Sequence, residues 1–92
     1  MRFSNDVLER PTEVFGKEIA LRALYGVTNR FVRGPRGHNR DLTINAVEGQ
    51  AERARRSGAT EEEIRAAIRQ GATDPPSAIP ERVEEIRRRY LT

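Results

Sequence analysis

Four arginines, Arg30, Arg33, Arg36 and Arg40, fall within residues 30–40, a stretch that holds no acid. The guanidinium fork meets phosphate or carboxylate oxygens two at a time. Gly34-Pro35-Arg36-Gly37-His38-Asn39 in their midst reads as a loop, because glycine and proline break both regular periods. A helix starting just after it adds free backbone N–H groups and the positive end of its dipole. That combination binds anions. The candidates are a nucleic-acid backbone, the carboxylates of an acidic protein partner, and a small phosphorylated ligand held before the second main helix. His38, the only histidine, stands in the same loop and is counted with its donors. The other thirteen basic and fourteen acidic residues nearly cancel, so the formal net charge of +3 is gathered at one place. The plain alternative is a solvated basic loop.

A second stretch, residues 49–71, reads as two helices about a tight turn. Ala54 stands four residues before Gly58, and Ile64 and Ile68 stand six and ten after it. In this register the run from Gly49 to Ile68 resembles the helix-turn-helix of phage-repressor-type proteins, over about a quarter of the chain. It departs from them at Ser57, where an apolar residue is usual. The resemblance implies a second helix that enters a major groove by its first turn. Here that turn is Thr60, Glu61 and Glu62, with Glu63 beside them, and carboxylates repel phosphate. The expectation is therefore a helical corner that does not read bases. Arg53, Arg55 and Arg56 on the preceding helix are better phosphate contacts, and they could join the loop in one basic face. Gly34-Pro35-Arg36-Gly37 is also similar, in a single copy, to Arg-Gly-Pro segments that lie in minor grooves.

Catalytic chemistry finds little to work with. The chain has no cysteine, so disulfides, thiolates and cysteine-held zinc are excluded. One histidine does not make a metal site. Ser4, Ser57 and Ser77 stand in no nucleophile context. Glu62/Glu63 and Glu84/Glu85 are adjacent pairs that face different helix directions. No enzyme activity, cofactor or metal is expected.

The elements that must position these residues are helical. Ser4 caps a short lead-in over residues 4–10 that ends at Pro11. Thr12 caps the first main helix, whose apolar residues Phe15, Ile19, Ala23, Val27 and Phe31 recur every four positions. Val14, Leu21, Leu24, Tyr25 and Val32 form a second stripe, which makes this the central helix. Gly26 inside it marks either a close helix contact or an early end. The second helix begins near Asn39 or Asp41 and turns Leu42, Ile44, Val47, Ala51 and Ala54 inward. Thr60 and Glu63 make a capping box for the third, with Ile64, Ala67 and Ile68 inward and Glu61 paired to Arg65. Residues 72–78, with Pro75-Pro76, form a stiff linker. Pro80 starts a last helix, residues 79–91, with Ile79, Val83, Ile86 and Tyr90 on its apolar stripe and Glu84–Arg88 and Glu85–Arg89 pairs outside.

The expected fold is all-α, a small bundle of three to four main helices with a helix-turn-helix-like corner and a C-terminal helix. All 92 residues form one domain, with a core over 12–71. No apolar run approaches the ~18 residues of a membrane span. The expected function is a non-enzymatic, cytoplasmic, nucleic-acid-binding accessory or regulatory protein, with a homo-oligomer possible at this size. Its phosphate contacts are Arg30, Arg33, Arg36, His38, Arg40, Arg53 and Arg56. The second reading is an inhibitor or adaptor that lays its last helix into a partner's groove.

Overall fold

A computed structural model describes the backbone of residues 2–34, 42–73 and 77–92, and the side chains of residues 16–34, 42–73 and 77–92. All regular structure among them is helical: α1 (Arg2–Arg33), α2 (Ile44–Arg56), α3 (Glu61–Thr73) and α4 (Pro80–Ile86). A π-helical turn, Arg87–Leu91, continues α4. The small all-α bundle expected from the periodicity is the fold.

α1 is a single helix of 32 residues where a lead-in and a main helix were expected. Pro11 lacks one N–H, but its φ is already helical, so it costs a bond without forcing an end. The caps at Ser4 and Thr12, and those at Asn39 and Asp41, lie outside the described side chains. α2 takes Thr43 as its cap instead: the Thr43 hydroxyl accepts from the Asn45 N–H at 3.2 Å. Leu42 and Thr43 thus lead into the helix rather than lying inside it.

The α2–α3 corner forms as the spacing predicts. Gly58 has φ +99°, the left-handed conformation that glycine adopts at least cost. The Ala59 N–H donates to Ala54 O at 3.0 Å and the Gly58 N–H to Arg55 O at 3.1 Å, which closes the end of α2 in the Schellman pattern. The capping box is present in both directions. The Thr60 N–H donates to Glu63 Oε1 at 2.8 Å, and the Glu63 N–H donates to the Thr60 hydroxyl at 3.1 Å.

Contacts between helices set their directions. Lys17 meets Glu63 near one end of α3, and Gly71 near the other end lies against Tyr25 and Thr28. α3 therefore runs parallel to α1. α2 starts at the C-terminal end of α1 and turns into α3 beside Lys17, so it runs antiparallel. A Cβ on Gly71 would stand 2.7 Å from Tyr25 O, so this glycine is what lets α1 and α3 close. Gly26, the expected candidate for that role, meets only Arg30 Nη1, at 3.8 Å.

The core is Ala20, Leu24, Val27, Phe31 and Val32 of α1 with Val47, Ala51, Ala54, Ile64, Ile68, Ala72 and Ile86. Leu24, Ile68 and Ile86 are fully buried, each contributing about 1.5–3 kcal/mol of transfer free energy. Thr28 is buried too, its hydroxyl donating to Leu24 O at 2.8 Å. Ile19 is the exception in its stripe, 56% exposed. A strict four-residue repeat drifts about 40° per step on an α-helix, which carries Ile19 off the core while Val27 and Phe31 stay in it.

The last helix completes this core. The Ile79 N–H donates to Val32 O at 2.7 Å. Arg82 stacks over the Phe31 ring, 4.8 Å from its centroid, and its Nη1 donates to Phe31 O at 3.0 Å and reaches Leu42 O at 3.5 Å. Gly34, at φ +87°, packs so closely under Ile79 that a Cβ would stand 2.1 Å from Ile79 Cδ1. Both ends of the arginine loop are therefore tied to the start of α4.

Candidate basic face

The arginines divide by flank. On α1, Lys17, Tyr25 and Thr28 mark the side that faces α3. With about 100° between successive residues, the opposite direction falls between Ile19 and Arg30. Arg33 points about 50° from it, and Arg22, about 70° from it, stands at the edge of this strip. All four are exposed, and none of the three arginines forms an ion pair among the described residues. Glu18 borders this strip at one edge.

α2 divides in the same way. Arg55 and Glu48 mark its flank toward α3 and the C-terminal turn, because Arg55 meets Glu61 and Glu48 meets Arg89. Arg53 lies on the other flank with Ala46 and Gln50, and Arg56 lies opposite the core between the two flanks. Both arginines are exposed and free of ion pairs among the described residues. Because α1 and α2 are antiparallel, the α3-averted flanks of both helices lie on the same side of the molecule. Arg30 and Arg33 stand at one end of this face, Arg22 and Arg53 toward the other, and Arg56 at its edge. Arg36, His38 and Arg40 lie outside the described residues.

The far side is where acids and bases neutralise each other. Arg55 Nε and Nη2 grip the Glu61 carboxylate at 2.6 and 3.1 Å while Nη1 holds Glu52 at 2.9 Å. This raises the Arg55 guanidinium and holds the Glu61 carboxyl below its usual range. Glu61 was expected to pair with Arg65, one turn along its own helix. Arg55 wins because the tight turn brings it end-on to the carboxylate in a bidentate geometry. The Thr60 N–H, and after it Lys17 at 3.2 Å, lower the Glu63 carboxyl. The expected Glu84–Arg88 and Glu85–Arg89 pairs are replaced as well. Glu84 pairs with Arg87, and Arg89 crosses to Glu48 on α2. The π-helical turn widens the helical period beyond 3.6, so side chains four apart no longer stack. Arg65 and Arg69 are exposed and form no ion pair among the described residues, but they share the outer face of α3 with Glu62.

A cleft between α2 and the C-terminal turn is lined by Asn45, Glu48, Glu52, Arg55 and Tyr90. The Tyr90 hydroxyl is buried there with no hydrogen-bond partner. Burial, and after it Glu48, push its pKa up to about 12.

Of the seven expected anion contacts, Arg30, Arg33, Arg53 and Arg56 are brought to one side. Arg55 is withdrawn into ion pairs. Arg22 is added, and the sequence did carry its signal: it precedes Arg33 by eleven residues, about three full turns. Among the described residues no three His, Asp or Glu side chains could hold a metal ion, and no helix is long and apolar enough to cross a membrane. No family model matches this chain, and comparison with curated proteins and with solved structures finds none similar to it.

Proposed function

We propose that this protein is a non-enzymatic nucleic-acid-binding protein that contacts phosphates through the α1–α2 face. The observation that carries the reading is the segregation of charge. Among the described residues, Arg22, Arg30, Arg33, Arg53 and Arg56 of α1 and α2 form no ion pair; Arg30, Arg33 and Arg53 lie on the side away from α3, with Arg22 and Arg56 at its edges. Arg55, two residues from Arg53, is neutralised on the other. An unpaired exposed guanidinium is already solvated as a cation and can exchange its counterion for a phosphate, whereas Arg55 must first give up two carboxylates. Ile79 and Arg82 bind Val32 and Phe31, beside Arg30 and Arg33, and so fix the end of α1 that carries these two arginines.

Fluorescence anisotropy with labelled nucleic acid over a salt series tests it. Affinity falls linearly with salt on logarithmic axes, and replacing Arg30, Arg33, Arg53 and Arg56 by alanine abolishes most of it. The reading fails if no binding appears at low salt, or if the fourfold variant binds as the parent does while its circular dichroism is unchanged.

A further inference from the structure

We infer that the α1–α2 face is built for the double helix, gripping its two phosphate rows without reading bases; this rests on the phosphate-binding reading above. The arginines fall into two groups. Arg30 and Arg33 stand at the C-terminal end of α1. Arg22 and Arg53 stand toward the other end, with Arg56 beyond Arg53 at the edge of the face. Along α1, Arg22 and Arg33 are separated by about 16 Å, at 1.5 Å per residue. Because α2 runs back from the loop, Arg53 lies about 14 Å from the helix start at Ile44. These axial spans are of the same order as a groove about 12 Å wide.

The strip between the two groups is low. Ala23, Gly26 and Ala46 offer no side-chain donor or acceptor to a base edge, and Gln50 on the same flank has its carbonyl oxygen buried. Gly26 adds to the case. A glycine inside a helix costs about 0.5–1 kcal/mol against alanine, and among the described residues none needs it: a Cβ there meets only the Arg30 guanidinium at 3.8 Å. Gly71, in contrast, is required by the α1–α3 contact. The missing side chain at Gly26 keeps α1 low between the arginine groups, with the Arg30 guanidinium beside it. Single-strand binders also need aromatic platforms for unstacked bases. Among the described residues Phe31 is buried, the backbone of Tyr25 abuts α3, and Tyr90 lies in the cleft on the other side, so neither Phe31 nor Tyr90 offers this face a ring. The helix-turn-helix corner supplies no base reading either, since Glu61 and Glu63 are committed to Arg55, Thr60 and Lys17, and Glu62 is an exposed carboxylate.

The test uses the full chain and three labelled 20-nucleotide-length probes: two DNA duplexes of unrelated sequence and an oligo-thymidine single strand. The duplexes are expected to bind within about twofold of each other and at least tenfold tighter than the single strand. Arg53→Ala with Arg56→Ala is expected to remove most of that preference, because one phosphate row is released. Arg88→Ala, which removes an exposed arginine of the C-terminal turn, leaves it unchanged. Single-strand binding as tight as duplex binding overturns the inference while leaving the phosphate reading intact. So does one duplex sequence bound more than tenfold tighter than the other, because bases would then be read. Failure of all three probes to bind at low salt overturns the phosphate reading itself.

Discussion

Arg53 and Arg55 are two residues apart on one helix, and their surroundings are opposite. Arg55 turns toward α3 and is held by Glu52 and Glu61; Arg53 turns away from α3 and meets no carboxylate among the described residues. α1 repeats the contrast. Its α3-facing flank uses Lys17 in an ion pair and Tyr25 and Thr28 in a contact so close that α3 must carry a glycine there. Its other flank leaves Arg22, Arg30 and Arg33 without an ion pair among the described residues, around a glycine whose added Cβ would meet only Arg30 Nη1 at 3.8 Å. The lesson is that charge count does not locate a binding surface in a chain this rich in ions. An arginine contributes to one only if the fold has not already given it an acid.

The two flanks respond differently to change, and the sharpest contrast is between the two glycines. Gly71→Ala places a methyl 2.7 Å from a backbone oxygen that cannot move alone. It is expected to cost about 1–3 kcal/mol in urea or thermal denaturation, as overpacking does. An unchanged midpoint would mean that α3 does not seat on α1 at that point. Gly26→Ala has the opposite sign, a gain of up to about 1 kcal/mol from helix propensity alone. A loss there would show that the outer flank of α1 is packed after all.

The two neighbouring arginines come next. Arg53→Ala and Arg55→Ala both leave stability within about 1 kcal/mol, since exposed ion pairs and free surface charges contribute little. Binding is expected to separate them. Arg53→Ala reduces the slope of affinity against salt by about one, and Arg55→Ala does not. Equal effects in a salt titration would erase the distinction between the flanks.

The smallest effects are in pH, and they belong to the paired side. Tyr90 has its pKa raised from 10.0 to about 12 in the fold, so the folded state holds that proton more tightly than the unfolded one. Its contribution is intact below pH 10 and is lost as pH rises from about 10 to about 12. Tyr90→Phe flattens that fall and is neutral or slightly stabilising near pH 7, because it removes a buried hydroxyl with no partner. On the acid side, Glu61 and Glu63 are lowered, so what they contribute is present above their ordinary carboxyl range and declines as pH falls through their folded values. Denaturation midpoints measured across pH would show both limbs, and a flat alkaline limb would remove Tyr90 from a buried site.

The amino-acid order by itself determined the α2–α3 corner and the apolar faces of its helices. A 3-4-3 spacing of apolar residues has one helical solution, so Val47, Ala51 and Ala54 had to share a face. A threonine three residues before a glutamate closes a capping box whatever lies around it, and a glycine after α2 takes the left-handed turn that a side chain resists. The concentration of arginine at residues 30–40 was equally plain. Tertiary structure decided which charges remain available, because that depends on distances between residues far apart in the chain. Lys17 and Glu63 are separated by 46 positions, and Arg82 reaches Phe31 across 51. No local pattern specifies such pairs, since helical period constrains only neighbours three or four apart. The α1–α2 face exists because α3 packs on one side of both helices and absorbs the ions there, leaving the arginines of the other side exposed and without an ion pair among the described residues.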